Sequence, residues 1–320
     1  MIQSLRWSAT ADNADGSSAC SDNTIKKGNF MSEISTHAQS GKAQFGHVYN
    51  QADPRGYFQA LRDFEYKTPE HGEPVFTHLA QRRREHLGRE DVVVLDLCCS
   101  YGINAALLNH DLTLDALYAR YGSPELATLS TDELIVADHA FYGEHRRSHP
   151  VQVVGIDVAD QAVAYAQRIG LHCSGSSENL EMEDPSAALA HLLTGVDLIT
   201  VTGGIGYITE HTFDRVLQHA SAKDGCWVAA FALRWIPYAR IAEVMARYGL
   251  ATEQLSGHTF PQRRFTDDTE RDYVLGELES RGIDPAGKET EGWYHSNFYL
   301  SCPVEHNPPS LRELLSGWVD

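Results

Sequence analysis

Long apolar runs are missing from this 320-residue chain. No stretch approaches the roughly 18 residues that cross a bilayer, and the first thirty residues lack the apolar centre of a secretion signal. A membrane role is not expected, and the cytoplasm is the default compartment. Positive charge is also scarce. Lys and Arg number 26 against 44 Asp and Glu, a formal charge of −18 at pH 7, which opposes a role in neutralising nucleic-acid or lipid phosphates. A small-molecule partner is expected instead. Six cysteines (Cys20, Cys98, Cys99, Cys173, Cys226, Cys302) show neither CxxC spacing nor a histidine framework, so neither a zinc site nor a disulfide scaffold is indicated. His145, His149, His172, His211 and His219 match no metal spacing either, and no metal is expected.

At 42% hydrophobic and 22% charged, the chain can bury one large core with appendages. Residues 1–42, rich in Ser, Asp, Asn and Thr at their start, read as a disordered leader, with Met31 as a second candidate start. Residues 43–89 read as an N-terminal helical lid: FGHVYNQADPRGYFQAL sets an aromatic turn before a Pro-Arg step, followed by the apolar helical repeat Tyr57, Leu61, Phe64.

Residues 91–108, DVVVLDLCCSYGINAALL, are the most informative stretch. Residues 92–97 have the composition of a strand buried on both faces, and 104–108 begin a helix. Gly102 stands in the tight turn between them, where unusual backbone angles or close ligand approach are needed. Strands follow at 151–157, 171–174, 197–201 and 227–233, then around 252–260 and 296–302. Helices are expected at 160–169 (capped by Asp160), 187–193, 212–220, 238–248 and 268–281. This alternation predicts a Rossmann-like, doubly wound, seven-stranded sheet over residues 90–320. Residues 111–149 are too long for a connection and read as a helical insertion, with LTLDALYARY capped by Asp111 or Thr113 and TDELIVADHAFYGEH capped by Ser130 or Thr131.

Four segments then stand in order at the ends of these strands. LDLCCSYG puts Asp96 at a strand end and Cys98, Ser100 and Gly102 at alternate turn positions; GIDVADQAV puts Asp157 and Val158 at the next strand end; GSSENL and TVTGGIGYI follow strands three and four. Over about residues 90–302 this resembles the class I S-adenosylmethionine-dependent methyltransferases. The resemblance implies S-adenosylmethionine as cofactor. Asp96, Cys98 and Gly102 would serve its amino-acid end, Asp157 both ribose hydroxyls and Val158 the adenine face. Ser177, Glu178 or Asn179 would meet the adenine amino group, and Thr202 is added to the cofactor contacts. Tyr49 in the lid would close over the methionine portion, its ring favouring a sulfonium by about 0.5 to 2 kcal/mol. The family has three alternating glycines in the first turn and this chain has one, which points to a turn of different shape.

Transfer from a sulfonium asks the protein mainly to hold an acceptor in line and exclude water. Tyr207, Glu210 and His211 lie after strand four, and Arg234, Trp235 and Tyr238 after strand five; the insertion adds Tyr142 and His145. Tyr207, Arg234 and Tyr142 are the expected catalytic residues, with Arg234 receiving an acceptor carboxylate. Plainer readings stand beside these. The two aspartates can simply end strands, Cys98 and Cys99 can be buried thiols, and Tyr207 can be a core aromatic. Two other activities fit the same fold: cyclisation of the cofactor to azetidine-2-carboxylate with release of methylthioadenosine, as in the azetidine-2-carboxylate synthases, and binding without turnover in a regulatory protein.

Overall fold

The chain falls into two units, Met1–Ser40 and Gly41–Asp320. The computed structural model describes residues 46–220, 225–306 and 310–316, all in the second unit; the expected leader, Met31 and Cys20 lie outside the described residues.

Side chains that alternate across the backbone, apolar on both faces, make a sheet that must be covered twice. Along β1 (Val93–Leu97), Val94 faces one core with Val153 of β2 (Gln152–Ile156), whereas Leu95 faces the other with Val154. These two strands, with β3 (Ser174–Ser176), β4 (Leu198–Thr202) and β5 (Trp227–Leu233), pair in parallel in the order β3-β2-β1-β4-β5. β8 (Trp293–Pro303) runs antiparallel beside β5, and β6 (Leu250–Gln254) and β7 (Phe260–Arg264) share its far side. Strand order reverses between β1 and β4, so the carboxyl ends of β1, β2 and β4 border the crevice where such sheets bind ligands.

The first face is covered by α1 (Gly46–Tyr49), α2 (Arg55–Asp63), α3 (Thr68–Leu87) and α4 (Ile103–Asn109), joined by the helices that follow α4. Those are α5 (Leu114–Tyr121), α6 (Pro124–Ala127) and α7 (Thr131–Glu144). Thr113 caps α5 through Ala116 N, and Ser130 forms a capping box with Glu133 on α7; the short α6 was not foreseen. α8 (Asp160–Arg168) follows β2. The second face carries α9 (Ala187–Leu193), α10 (Glu210–Ala220) and α11 (Ala239–Arg247), while α12 (Asp268–Ser280) packs Val274 and Leu278 on Leu233, Trp235 and Tyr294. Each fully buried Leu or Phe here contributes roughly 1.5 to 3 kcal/mol. No helix among the described residues is long and apolar enough to cross a membrane.

Three local expectations are corrected. The strand expected around 252–260 is broken into β6 and β7, because Gly257 takes φ +78° between them; seven sheet positions therefore hold eight strands. The third strand begins at Ser174 rather than Leu171, since Leu171 N and His172 N still bond Ala166 O (3.0 and 3.4 Å) in the wrap that ends α8. Asp160 does not cap α8: the N-cap is Ala159, and Asp160 Oδ1 accepts instead from Gln161 N and Asn50 Nδ2.

Candidate functional site

The turn after β1 has a glycine-type backbone without the glycines. Cys98, Ser100 and Gly102 take φ values of 59°, 47° and 80°, left-handed backbone at all three alternate positions. A residue with a Cβ in that region costs about 1 kcal/mol, which the surroundings must offset. Cys98 N and Cys99 N bond Ile156 O at 2.8 and 3.3 Å, and Gly102 N bonds Cys99 O at 2.9 Å. Asp157 ties the turn to β2: Oδ2 accepts from Ser100 N and Oδ1 from Ala159 N, each at 2.9 Å. A methyl on Gly102 would meet His172, Leu171 and Ala166 within 3.3 Å, and one on Gly204 would lie 2.6 Å from Cys98 Sγ. Cys99 is a buried thiol, pushed well up in pKa by that burial, in keeping with the plainer reading, whereas Cys98 is only partly buried.

Two carboxyl groups lie under and beside the turn. Burial raises Asp157, against the pull of its two backbone N–H donors. Asp96 is 1% exposed; Oδ1 accepts from Asn104 Nδ2 (2.8 Å) and Thr200 Oγ1 (3.0 Å), while Oδ2 has no partner among the described residues. Burial lifts its pKa to about 7, the two hydrogen bonds opposing and the Asp157 charge assisting. Asn104 Nδ2 also reaches Thr202 Oγ1 at 2.9 Å, joining β1, α4 and β4. Asn104 escaped the sequence reading, although a polar residue opening the apolar helix INAALLN was its signal.

The segment that follows α1 is fastened beside this turn. Tyr101 Oη donates to Gln51 O and accepts from Gln51 N, both at 2.8 Å. Asn50 accepts from Gln161 N at 2.9 Å and donates to Asp160 Oδ1 at 2.8 Å, close in sequence to Val158, which is 46% exposed. Tyr49 packs edge-on to Tyr57 with ring centres 5.4 Å apart, and burial raises its phenol pKa, aided by Tyr66 and Tyr207. Tyr66, another residue missed in the sequence, donates its hydroxyl to Thr202 O and is pushed up to about 12 by burial. Nothing local in its sequence signals this, because β4 lies far along the chain.

The other expected residues separate. Tyr207 is 52% exposed on the loop after β4; burial raises its pKa, with Arg263 opposing. Tyr142 is 2% exposed, and its hydroxyl lies 3.1 Å from that of Tyr121, inside a network in which Asp138 accepts from Arg120, Tyr121 and Tyr165. That internal face of α7 corrects its assignment as a catalytic group. Arg234 is committed to Glu289 (2.5 Å) and Asp284 O (2.8 Å), which corrects its assignment as a carboxylate receiver. Trp235 is buried, Tyr238 stacks on Tyr299 at 4.0 Å, Glu210 pairs with Arg240, His145 Nδ1 lies 2.8 Å from Phe141 O, and His211 is exposed. After β3, Glu178 accepts from Ser186 N and Oγ, Asn179 Oδ1 accepts from Glu181 N, and Ser177 is exposed.

Among the described residues no group of His, Cys, Asp and Glu is placed to hold a metal. A cavity of about 360 Å³ lies at the other end of the sheet, where Arg84, Asp91, Arg146 and His149 line the starts of β1 and β2; it is separate from the turn.

No protein-family model matches the chain, and no curated protein matches it. Among solved structures it is similar to a TehB-like SAM-dependent methyltransferase from Corynebacterium glutamicum (13% identity, 87% of this chain and 98% of that one, TM-score 0.33). It is similar also to the Synechocystis magnesium protoporphyrin IX methyltransferase with bound SAM (12% identity, 89% and 99%, TM-score 0.35). A third is the plantazolicin methyltransferase BpumL in complex with SAH (9% identity, 86% and 100%, TM-score 0.37). With TM-scores below 0.5 these likenesses add nothing to the assignment of the fold, which rests on the strand order and pairing: a Rossmann-like, doubly wound α/β sheet with one antiparallel strand near its edge.

Proposed function

We propose that this chain is an S-adenosylmethionine-dependent methyltransferase acting on a small molecule. The observation that carries the reading is the 98–102 turn, held in left-handed steps by Asp157 above a buried Asp96 oxygen that has no partner among the described residues. These groups fit the cofactor. Asp157 is bonded only to two backbone N–H groups, so it retains acceptor capacity for a diol, and charge-assisted bonds of that kind are stronger than neutral ones. Asp96 Oδ2 offers an acceptor for the amino-acid end, and exposed Val158 an apolar face for adenine.

When bound, the cofactor supplies a methyl group on a sulfonium, already activated toward nucleophiles. The protein's part is placement and exclusion of water. The phenols of Tyr49, Tyr66 and Tyr207 all titrate above the ordinary tyrosine range, so they present rings and hydroxyls rather than negative charge, and none is a ready base at neutral pH. Arg263, forked onto Glu270 at 2.7 and 3.0 Å, stands within electrostatic reach of Tyr207. An acceptor atom that needs no strong base suits this seat. The charge of −18 favours a small acceptor over nucleic acid or an anionic membrane.

Incubation with S-adenosylmethionine and mixtures of small acceptors, followed by identification of the released nucleoside, tests the reading. S-adenosylhomocysteine formed only with acceptor is expected. Methylthioadenosine formed without acceptor would replace methyl transfer by cyclisation, and intact cofactor throughout would leave a binding protein.

A further inference from the structure

Phe260 opens β7, and three histidines gather round it. The rings of His71 and His258 lie 5.5 and 4.6 Å from its ring. His295 stands opposite Pro261 in the β7–β8 pairing, with Nδ1 3.1 Å from Thr259 Oγ1. The three come from the first turn of α3, the segment before β7 and β8, yet all are partly buried in one corner.

The strongest charges acting on this corner are positive. Lys67 and His258 act on His71; Arg234, Lys288, His71 and His258 act on His295. Of these, Arg234 is matched by Glu289, while Lys67 Nζ rests over the Trp293 ring at 5.3 Å. Glu70, the acid in the first turn of α3, acts on Tyr118 instead. The amino end of that 20-residue helix adds partial positive charge. His71 Nε2 is buried and has no hydrogen-bond partner among the described residues. Burial, with these like charges, lowers His71 against a hydrogen bond to the Pro261 backbone and takes His295 down to about 4, and burial alone lowers His258. In a chain of net charge −18, this is a local site waiting for negative charge.

The corner adjoins the acceptor seat. Lys67 N donates to Gln262 O at 2.7 Å, and Gln262 Nε2 lies 3.2 Å from where a methyl on Gly203 would stand, on the loop after β4. We propose that His71, His258 and His295 form an oxyanion subsite that receives a carboxylate or phosphate group of the acceptor. Assigning the anion to an acceptor rests on the methyl-transfer reading; the anion site does not. An arriving anion favours the imidazolium forms, so binding strengthens as pH falls through the histidine range.

The test is titration of the full chain with inorganic phosphate, and separately with acetate, followed through the histidine Cε1–Hε1 signals at about pH 6 and about pH 8. His71→Gln, His258→Gln and His295→Gln assign the three resonances. They should shift saturably, more strongly at the lower pH, and His295→Gln should weaken phosphate binding by about tenfold, the scale of one charged hydrogen bond. S-adenosylmethionine affinity should stay unchanged in that variant. If His295→Gln does not fold, partly exposed His258→Gln carries the same comparison. Response to phosphate alone, or to acetate as well, supports the subsite and tells phosphorylated from carboxylated acceptors. Resonances that stay still, or wild-type phosphate affinity in the folded variant, would overturn it. Phosphate binding in a chain that fails to bind S-adenosylmethionine would keep the subsite and remove the methyl-transfer reading.

Discussion

The carboxyl edge of the sheet has two unlike halves. On the β1–β2 side, Asp157 is bonded to Ser100 N, Asn104 is bonded to Asp96 and Thr202, and the turn keeps left-handed angles at Cys98 and Ser100, which have side chains. On the β7–β8 side, His71, His258 and His295 are gathered, and the strongest charges acting on His71 and His295 are positive, Arg234 among them with its own partner Glu289. The first half is a preformed cradle: its turn is held by hydrogen bonds, while Asp96 Oδ2 has no partner among the described residues and remains for a ligand. The second holds histidines whose pKa is lowered, which an arriving anion would draw toward imidazolium. The difference teaches where to look for each partner: the common cofactor on the finished half, the particular acceptor on the unfinished one.

The largest effect should come from Arg234, which stands beside the second half with its own partner. Arg234→Ala strips Glu289 of its buried partner, and removal of one member of such a pair costs about 3 to 5 kcal/mol. Chemical denaturation should show that loss, while acceptor affinity in folded protein changes far less; a large loss of acceptor affinity at full stability would restore Arg234 to the site as a direct receiver. On the cradle side, Gly204→Ala should cost about 1 to 3 kcal/mol by overpacking, since its methyl would lie 2.6 Å from Cys98 Sγ. Cys98→Gly in the same chain should recover most of it, and no recovery would mean that the clash lies elsewhere.

Asp96 gives a smaller, pH-dependent effect. Its folded pKa is raised from 3.8 to about 7, so the folded form holds the proton more tightly than the unfolded form. Its contribution is therefore favourable at low pH and is lost as pH rises between those values, with a slope of at most about 1.4 kcal/mol per pH unit. Asp96→Asn should flatten that limb of the stability curve in cofactor-free protein; an unaltered limb would place the titration in another group. The smallest effect tests the strained turn. Ser100→Gly should stabilise by about 0.5 to 1 kcal/mol, because φ 47° carries no penalty without a Cβ. Destabilisation of similar size would mean that the side chain contributes more than the angle costs.

The two halves also differ in how readable they are in the sequence. Asp96, Gly102, Asp157 and Val158 sit at strand ends whose apolar runs announce them, and the motifs around them are local. The parallel strands and most helices were legible for the same reason. The split of β6 from β7 was not, because Gly257 lies in a stretch that still looks extended. Arg234 and Tyr142 misled because residue type suggests chemistry, whereas Glu289 and Tyr121, which occupy them, lie 55 and 21 residues away. The histidine corner was invisible to spacing. His71 and His295 come from opposite ends of the described chain and meet only because β7 and β8 pair beside the start of α3.

Calorimetric titration of S-adenosylmethionine into the wild-type chain and into Asp157→Ala tests the cradle most directly. Binding to the wild type is expected, with the variant weaker by about 1.5 to 3 kcal/mol, the scale of hydrogen bonds to a charged group. No binding to the wild type, or equal affinity in a folded variant, would contradict the placement of the cofactor on the turn that Asp157 holds.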